Sequence, residues 1–277
     1  MKIAVASGKG GTGKTTVAVS LALSLQGPVA FADCDVEEPN AHIFLKPEIL
    51  ETREFSLSVP KIDEKKCNFC GKCKEICQFN AITLFGKTIM AFPDMCHSCK
   101  GCFLVCDQGA IAESKRTVGF VESGKANRIG FVQGRLRVGE AMSSPLIKEV
   151  KKEAEKMESK WLILDAPPGT SCPVIKTVRY ADFAILVAEP TPFGLHDLKL
   201  AASTISKLGI DTGVIINKSG LGDVGIEKWC KDQGLPVLMK IPFSREAAWA
   251  YAKGTPLVDV QPELVNKFRE LAEGIRR

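Results

Sequence analysis

A glycine-rich octapeptide, residues 8–15, constrains the fold of this chain more than any other feature of the sequence. An apolar run at residues 2–6 precedes it, and an apolar run with helical spacing at residues 15–25 follows it and ends before Gly27 and Pro28. This order predicts a buried strand, a tight loop and a helix. In such a loop the backbone N–H groups turn toward one anion, and the helix N-terminus adds positive potential. The segment therefore predicts a phosphate-binding site.

The residue types in the loop also match phosphate chemistry. Two glycines five positions apart are followed by Lys14, which would neutralise the outer phosphates, and by Thr15, which would ligate Mg²⁺. A glycine-rich turn with an exposed lysine is the alternative, but it leaves the strand before and the helix after unexplained. The candidate nucleotide ligands are Gly8, Gly10, Gly11, Thr12, Gly13, Lys14, Thr15 and Thr16.

Further apolar runs are separated mostly by helix-length segments. They occupy residues 29–32, 161–164, 183–187, 214–216 and 237–241. Such alternation predicts an α/β fold in which helices cover both faces of a mostly parallel sheet. In sheets of this kind ligands bind beyond the carboxyl ends of the strands, where the polar residues of this chain fall.

Two other segments carry structural predictions. Residues 117–122 and 128–133, on either side of residues 123–125, are expected to form a hairpin, and residues 262–277 an amphipathic terminal helix. The net charge of +5 is spread without long runs of one sign, so we expect no nucleic-acid partner. No segment approaches the ~20 apolar residues of a membrane span, and no ordered signal peptide is present, which favours a cytoplasmic protein.

The alternation of strands and helices fails between residues 54 and 116, where eight of the 11 cysteines lie. In a reducing compartment such crowding indicates metal or redox chemistry. We predict a small α+β domain at residues 59–116, inserted into a discontinuous larger domain of residues 1–58 and 117–277. The cysteines form two copies of one spacing, 29 residues apart: Cys67, Cys70, Cys73 and Cys77, then Cys96, Cys99, Cys102 and Cys106.

This spacing resembles that of bacterial ferredoxins with two [4Fe–4S] clusters, in which the fourth cysteine of each copy ligates the other cluster. Tetrahedral zinc is the alternative, but a zinc site gives no reason for the third and fourth cysteine of each copy. The proline that usually follows the fourth cysteine is replaced by Gln78 and Asp107. The resemblance implies one cluster on Cys67, Cys70, Cys73 and Cys106 and a second on Cys96, Cys99, Cys102 and Cys77.

Lys9, a second lysine inside the glycine-rich loop, resembles the signature of the MinD-like ATPases, a family that includes ParA, Mrp and nitrogenase iron-protein relatives. Residues 33–35 match the first switch of this family, and residues 165–170 match the second. The resemblance implies a P-loop NTPase fold, with Asp35 positioning or activating the attacking water and Asp165 holding Mg²⁺ through water. The residues that match its adenine contacts are Asn217, Pro242 and Phe243.

The same resemblance implies that Lys9 reaches across a dimer interface, so we expect ATP to drive homodimerisation. The expected catalytic residues are Lys9, Lys14, Asp35 and Asp165. For Asp33, a role in capping the next turn is as plausible as catalysis.

The two resemblances together predict a MinD-superfamily ATPase with a ferredoxin-like insert, coupling ATP state to electron transfer toward an unidentified redox or iron–sulfur acceptor. One alternative is an iron–sulfur carrier of the Mrp type, although Mrp relatives use a late Cys-x-x-Cys pair and this chain has only Cys230 there. The other alternative is a positioning ATPase of the ParA or MinD type.

Overall fold

The computed structural model of the protein describes residues 1–222 and 225–276. The chain divides into two units. The larger unit comprises Met1–Arg53, Phe120–Leu136 and Met142–Arg277, and the cysteine unit comprises Glu54–Gly119 and Arg137–Ala141.

The strands and helices follow one another in the order expected of an α/β chain. The strands are β1 (Lys2–Ala6), β2 (Val29–Asp33), β3 (Glu48–Ile62), β4 (Ile82–Phe85), β5 (Thr88–Ala91), β6 (Ile111–Ala126), β7 (Ile129–Leu136), β8 (Trp161–Asp165), β9 (Phe183–Ala188), β10 (Asp211–Ser219) and β11 (Val237–Pro242). The α-helices are α1 (Lys14–Ser24), α2 (Ala41–Leu45), α3 (Lys72–Ile76), α4 (Gly101–Leu104), α5 (Ser143–Glu155), α6 (Cys172–Val178), α7 (Pro192–Ser206), α8 (Gly225–Asp232), α9 (Arg245–Ala252), α10 (Leu257–Val260) and α11 (Glu263–Arg276).

The main sheet has the strand order β11-β10-β9-β1-β8-β2-β7-β6-β3. Its pairs from β11 through β7 are parallel. Strands β2 and β8 are buried along their whole length, as strands covered by helices on both faces must be. The prediction of a mostly parallel α/β sheet is confirmed, and the predicted strands at residues 2–6, 29–32, 161–164, 183–187, 214–216 and 237–241 are all present.

The predicted hairpin is present, but its turn lies further along the chain than predicted. Strand β6 continues through residues 123–125, and the chain reverses at residues 127–128, where Asn127 has a left-handed φ of 53°. Gly124 does not lie in a turn. It lies where two strands approach closely: a Cβ there would lie 2.0 Å from the carbonyl oxygen of Glu48, so this position excludes a side chain. The sequence prediction was therefore wrong about the position of the turn.

The terminal helix α11 packs on the core of the larger unit. Leu264, Phe268 and Ala272 are buried, and α11 lies against α1. The helix ends at Arg276, and Arg277, which the sequence prediction included, lies outside the described residues. Within the part of the chain that the structure describes, no helix is both long and apolar enough to cross a membrane.

The cysteine unit repeats its backbone conformation at the same 29-residue interval as its sequence. Helices α3 and α4 begin 29 residues apart, and β4 pairs with β5 as a separate antiparallel sheet. Three pairs of residues at this interval have positive φ angles: Phe69 and Ser98, Gly71 and Lys100, and Asn80 and Gly109. Non-glycine residues rarely adopt this conformation, and where they do the strain is often tied to a function.

Candidate functional site

The glycine-rich loop joins β1 to α1, and two of its glycines, Gly11 and Gly13, have positive φ angles. Gly13 precedes the helix with a φ of 88°, and a Cβ there would lie 2.2 Å from Nδ2 of Asn217. A Cβ on Gly8 would lie 2.1 Å from the carbonyl oxygen of Asp197 in α7, so this position also excludes a side chain. The loop is therefore held closely between Asn217 and Asp197.

Lys14 lies among acidic side chains at the carboxyl ends of β2 and β8. Its Nζ donates to Oδ1 of Asp165 at 2.7 Å and lies 3.9 Å from Oδ2 of Asp35. Burial alone lowers the pKa of Lys14, but Asp165, Asp35 and Asp33 outweigh burial and raise it. Lys14 therefore remains charged at neutral pH.

Asp165 is fully buried, and its Oδ2 has no hydrogen-bond partner among the described residues. Thr15 lies beside the same lysine, since Nζ of Lys14 is 3.4 Å from Oγ1 of Thr15. An unpartnered buried carboxylate oxygen close to a helix N-terminal hydroxyl suits an aquated divalent cation. These residues therefore fit Mg²⁺.

Asp33 has a structural role at the first switch. Its Oδ1 accepts from the N–H of Asp35 at 3.1 Å, and its Oδ2 accepts from the N–H groups of Asn40 and Ala41, each at 3.0 Å. Two of these donors lie at the start of α2, so Asp33 ties the switch segment to the end of β2. Of the two roles left open by the sequence, these contacts support the capping role.

Burial raises the pKa values of the two carboxyl groups of this switch, Asp33 and Asp35. It raises the pKa of Asp33 to about 7, and the neighbouring charge of Asp165 adds to the effect. It also raises the pKa of Asp35 to about 6, with Lys14 opposing the shift and Asp165 reinforcing it. A carboxylate with a pKa near neutrality is suited to accept a proton from water.

A cavity of about 390 Å³ extends from the loop toward α9. Its volume falls in the range of small-molecule sites. The predicted residues that line it are Lys9, Gly10, Gly11, Thr12, Gly13, Lys14, Thr15, Thr16, Asp35, Asn217, Pro242 and Phe243. The structure thus brings together residues from four separate segments of the sequence.

The amide of Asn217 is already engaged with the loop, because Nδ2 donates to the carbonyl oxygen of Thr12 at 2.8 Å. The far end of the cavity has an aromatic wall that the sequence analysis missed. Phe44 and Tyr251 face each other there with ring centroids 4.9 Å apart. No spacing signal connects these two residues, which come from α2 and α9.

Two further residues missed by the sequence analysis lie at the rim of the loop. Glu189 follows β9 and forms an ion pair with Lys9, and it also lies 3.2 Å from Nζ of Lys218. Lys218 donates to the carbonyl oxygen of Gly11 at 2.8 Å. The position of Lys218, directly after Asn217, was the one available signal in the sequence.

Within the cysteine unit, the eight clustered cysteines separate into two cavities. The first, of about 100 Å³, is lined by Cys67, Cys70, Cys73 and Cys106. The second, of about 20 Å³, is lined by Cys77, Cys96, Cys99 and Cys102. Each cavity thus contains three cysteines of one sequence copy and the fourth cysteine of the other.

Apolar side chains contribute to the lining of both cysteine cavities. Apolar side chains line the first, among them Ile62, Ile89 and Val105. In the second, the rings of Phe79 and His97 stack at a centroid distance of 3.8 Å.

Backbone N–H groups reach cysteine sulfur in both copies of the sequence repeat. Phe69 donates to Sγ of Cys67 and Ser98 donates to Sγ of Cys96, each at 3.4 Å. Across residues 1–222 and 225–276, no three His, Cys, Asp or Glu side chains converge as they would on a single metal ion.

Comparison with known proteins identifies the family. Residues 3–257 match the family described as the CobQ/CobB/MinD/ParA nucleotide binding domain. The protein MJ0578 of Methanocaldococcus jannaschii is 31% identical over 282 residues, which cover 100% of this chain and 96% of that protein. An iron-sulfur cluster carrier protein of Pyrococcus furiosus is 26% identical over 98% of this chain and 87% of its own length.

Solved structures support the fold. The septum site-determining protein MinD of Pyrococcus horikoshii, complexed with Mg-ADP, superimposes with a TM-score of 0.60 at 20% identity. The match covers 99% of this chain and 95% of that protein. Together with the sheet order, this similarity establishes a P-loop NTPase fold for the chain.

Proposed function

Because the chain belongs to the CobQ/CobB/MinD/ParA family of nucleotide-binding domains, we propose that it is an ATPase that couples its nucleotide state to electron transfer through two [4Fe–4S] clusters. The observation that carries this proposal is the separation of eight cysteines into two cavities of four, in the crossed combination that the ferredoxin spacing implies. The residues proposed to bind and hydrolyse ATP lie in the nucleotide cavity and beside it.

Phosphoryl transfer to water needs positioning and charge neutralisation more than covalent chemistry. The loop amides and Lys14 would hold the β- and γ-phosphates, and Asp35 would orient the attacking water and accept its proton. Asn217, Pro242 and Phe243 would contact adenine, with Phe44 and Tyr251 forming the aromatic wall of the same pocket.

Thr15 and Asp165 would hold Mg²⁺, the latter through a water molecule. The unpartnered Oδ2 of buried Asp165 supports this assignment. When bound, Mg²⁺ supplies Lewis-acid stabilisation of the phosphate oxygens. The hydrogen bond from Lys14 orients Asp165 for that role.

Residues 59–116 would form a ferredoxin-like domain, inserted between the nucleotide-binding parts at residues 1–58 and 117–277. Cys67, Cys70, Cys73 and Cys106 would hold one cluster, and Cys77, Cys96, Cys99 and Cys102 the other. Such clusters supply one-electron redox chemistry. Hydrogen bonds from Phe69 and Ser98 to cysteine sulfur would stabilise the thiolates and tune the potential.

We further propose that ATP drives homodimerisation and that Lys9 then contacts the nucleotide of the partner subunit. In the chain, the cysteine segment lies between the two switches, so we expect movement of the switches to reorient it. The electron acceptor is an unidentified protein of the reducing cytoplasm.

A second candidate function is delivery of iron–sulfur clusters, because the relative from Pyrococcus furiosus carries that description. A shared cluster of the Mrp type is disfavoured, since Cys230, the one late cysteine, is fully buried in α8. Delivery would instead use the clusters of the cysteine unit. Positioning of the ParA or MinD type would leave the two cysteine sets without a role.

The test is anaerobic purification followed by iron and sulfide counts, paramagnetic resonance and ATPase assay on one sample. We expect eight irons per chain, Mg²⁺-dependent ATP turnover, and electron transfer to a dye acceptor that changes between ATP and ADP. Transfer of intact clusters to an apo-ferredoxin would favour the delivery function. Iron-poor protein after reconstitution, or no affinity for ATP, would refute the proposal.

A further inference from the structure

Arg116 connects the second cysteine cavity to a buried ion pair within the cysteine unit. Its Nη1 pairs with Oε2 of Glu140, and its Nη2 lies 3.4 Å from the carbonyl oxygen of Cys96. Cys96 lines the second cavity, and all three residues belong to the cysteine unit. The guanidinium therefore bridges a carboxylate and the backbone of a proposed cluster ligand.

Burial distinguishes this ion pair from a surface ion pair of the same unit. The side chains of Arg116 and Glu140 are 6% and 1% exposed. Those of Lys72 and Asp107, which also pair, are 54% and 68% exposed. In a buried ion pair the Coulomb attraction often does not exceed the cost of removing both charges from water, so such a pair adds little stability. The burial of Arg116 therefore indicates a role other than stability.

The third nitrogen of the guanidinium, Nε, is also buried and has no hydrogen-bond partner among the described residues. A buried N–H donor without a partner is unfavourable, and in native proteins such a donor is often tied to an ion or a functional site. Arg116 thus brings a full positive charge and an unused donor to the backbone of Cys96. Both features suit a negatively charged group that the polypeptide does not supply.

The two copies of the sequence repeat differ at the position of Arg116. At the 29-residue interval Arg116 corresponds to Lys87, which is exposed between β4 and β5. Water and salt screen the charge of an exposed lysine. The N–H to sulfur hydrogen bonds of Phe69 and Ser98, by contrast, occur in both copies. A buried cation therefore lies beside Cys96 but not at the matching position of the first copy.

We propose that Arg116 is a positioning residue that acts through Cys96 and stabilises the reduced form of the second cluster. Reduction adds one electron to a cluster whose core and four thiolates together already carry a net charge of about −2. A desolvated guanidinium next to a ligand favours the added negative charge. Glu140 fixes the guanidinium and partly offsets its charge. The inference rests on the proposed iron–sulfur function and adds a bias of electrons toward the second cluster.

The test is a redox titration with dithionite, followed by paramagnetic resonance, on the full chain reconstituted with both clusters. The signal of the second cluster is identified in the double variant Cys67→Ser with Cys106→Ser, which should keep only that cluster. We expect Arg116→Gln to make reduction of the second cluster roughly tenfold less favourable, which is about 59 mV for a one-electron couple. Glu140→Gln leaves the guanidinium charge without its offset and should make the same reduction roughly tenfold more favourable.

Lys87→Gln is the matched control, because Lys87 occupies the equivalent position of the first copy and is exposed. It should leave both potentials unchanged. The opposite signs expected for Arg116→Gln and Glu140→Gln separate this role from a structural one, since a loosened backbone at Cys96 would shift the potential in one direction in both variants.

An unchanged potential, or shifts of the same sign, in variants that retain about eight irons per chain would overturn the inference and leave the proposed function intact. If Arg116→Gln loses the second cluster, Glu140→Gln decides alone: a raised potential supports the inference, and any other result overturns it. Wild-type protein that stays iron-poor after reconstitution would instead refute the proposed function itself.

Discussion

Nζ of Lys14 lies 2.7 Å from Oδ1 of Asp165, a fully buried carboxylate whose second oxygen finds no hydrogen-bond partner among the described residues. The two residues are 151 positions apart in the chain. The contact places the proposed phosphate-binding cation beside the proposed Mg²⁺ ligand, so this ion pair would serve both parts of the proposed nucleotide site.

Replacement of Asp165 should separate nucleotide binding from hydrolysis. Asp165→Asn keeps the shape of the side chain but removes the charge that would hold aquated Mg²⁺, so we expect ATP turnover to fall about 100-fold or more. Binding of mant-ATP without Mg²⁺ should persist, since Lys14 and the loop amides remain. Glu270→Gln on the exposed face of α11 is the control, and wild-type turnover in Asp165→Asn would contradict the assignment.

Lys9→Ala should retain ATP binding and lose hydrolysis, because the lysine is proposed to act on the partner's nucleotide. Mixing Lys9→Ala with Asp165→Asn tests this arrangement directly. Each mixed dimer would contain one complete site, so random mixing should restore about a quarter of the wild-type rate. A mixture that remains inactive, although both variants bind ATP, would show that Lys9 does not act across a dimer.

The crossed cysteine sets predict which double variants lose which clusters. Cys67→Ser with Cys106→Ser removes two ligands from one cavity, so about four irons per chain and one resonance signal should remain. Cys67→Ser with Cys77→Ser damages both cavities and should leave the protein with little iron. Cys230→Ser is the control and should retain both clusters. The reverse pattern would indicate that each sequence copy holds its own cluster.

The stability of the nucleotide-free protein should fall as the pH rises from about 4 to about 7. Asp33 and Asp35 have raised pKa values of about 7 and about 6 in the folded protein. In the unfolded chain aspartate ionises near pH 4, so between these limits the folded state binds more protons. Their favourable contribution is therefore complete at low pH and is lost as the pH rises through 6 and 7.

Asp35→Asn tests this dependence by thermal unfolding. In this variant the stability should fall less steeply as the pH rises. Its Tm at pH 8 should be roughly 2–4 °C higher, which corresponds to about 1 kcal/mol in the free energy of unfolding. Glu227→Gln should leave the decline unchanged. An equally steep decline in Asp35→Asn would show that burial of Asp35 does not contribute to the pH dependence.

Local sequence patterns predicted the parts of the fold that depend on residues close together in the chain. The apolar run at residues 29–32 became β2 because strands covered on both faces are apolar at every position. Gly124 was misread because glycine permits both tight turns and close strand approach, and the choice depends on the neighbouring strand at Glu48.

The residues of the candidate site also divide into those that local patterns predicted and those that depend on distant segments. Lys14 and Thr15 were predicted from spacing, and the structure places both at the start of α1, where they line the cavity. Phe44, Tyr251 and Glu189 were missed because each contributes through a contact with a distant segment.

The sequence by itself determined the phosphate-binding loop, the apolar strands of the sheet and the duplicated cysteine spacing, because backbone conformation and periodic burial are encoded within a few neighbouring residues. Only the tertiary structure decided that Asp165 meets Lys14, that Glu189 holds Lys9, and that Cys106 shares a cavity with Cys67. These relationships depend on how distant segments pack, and packing is a property of the whole folded chain rather than of any local pattern.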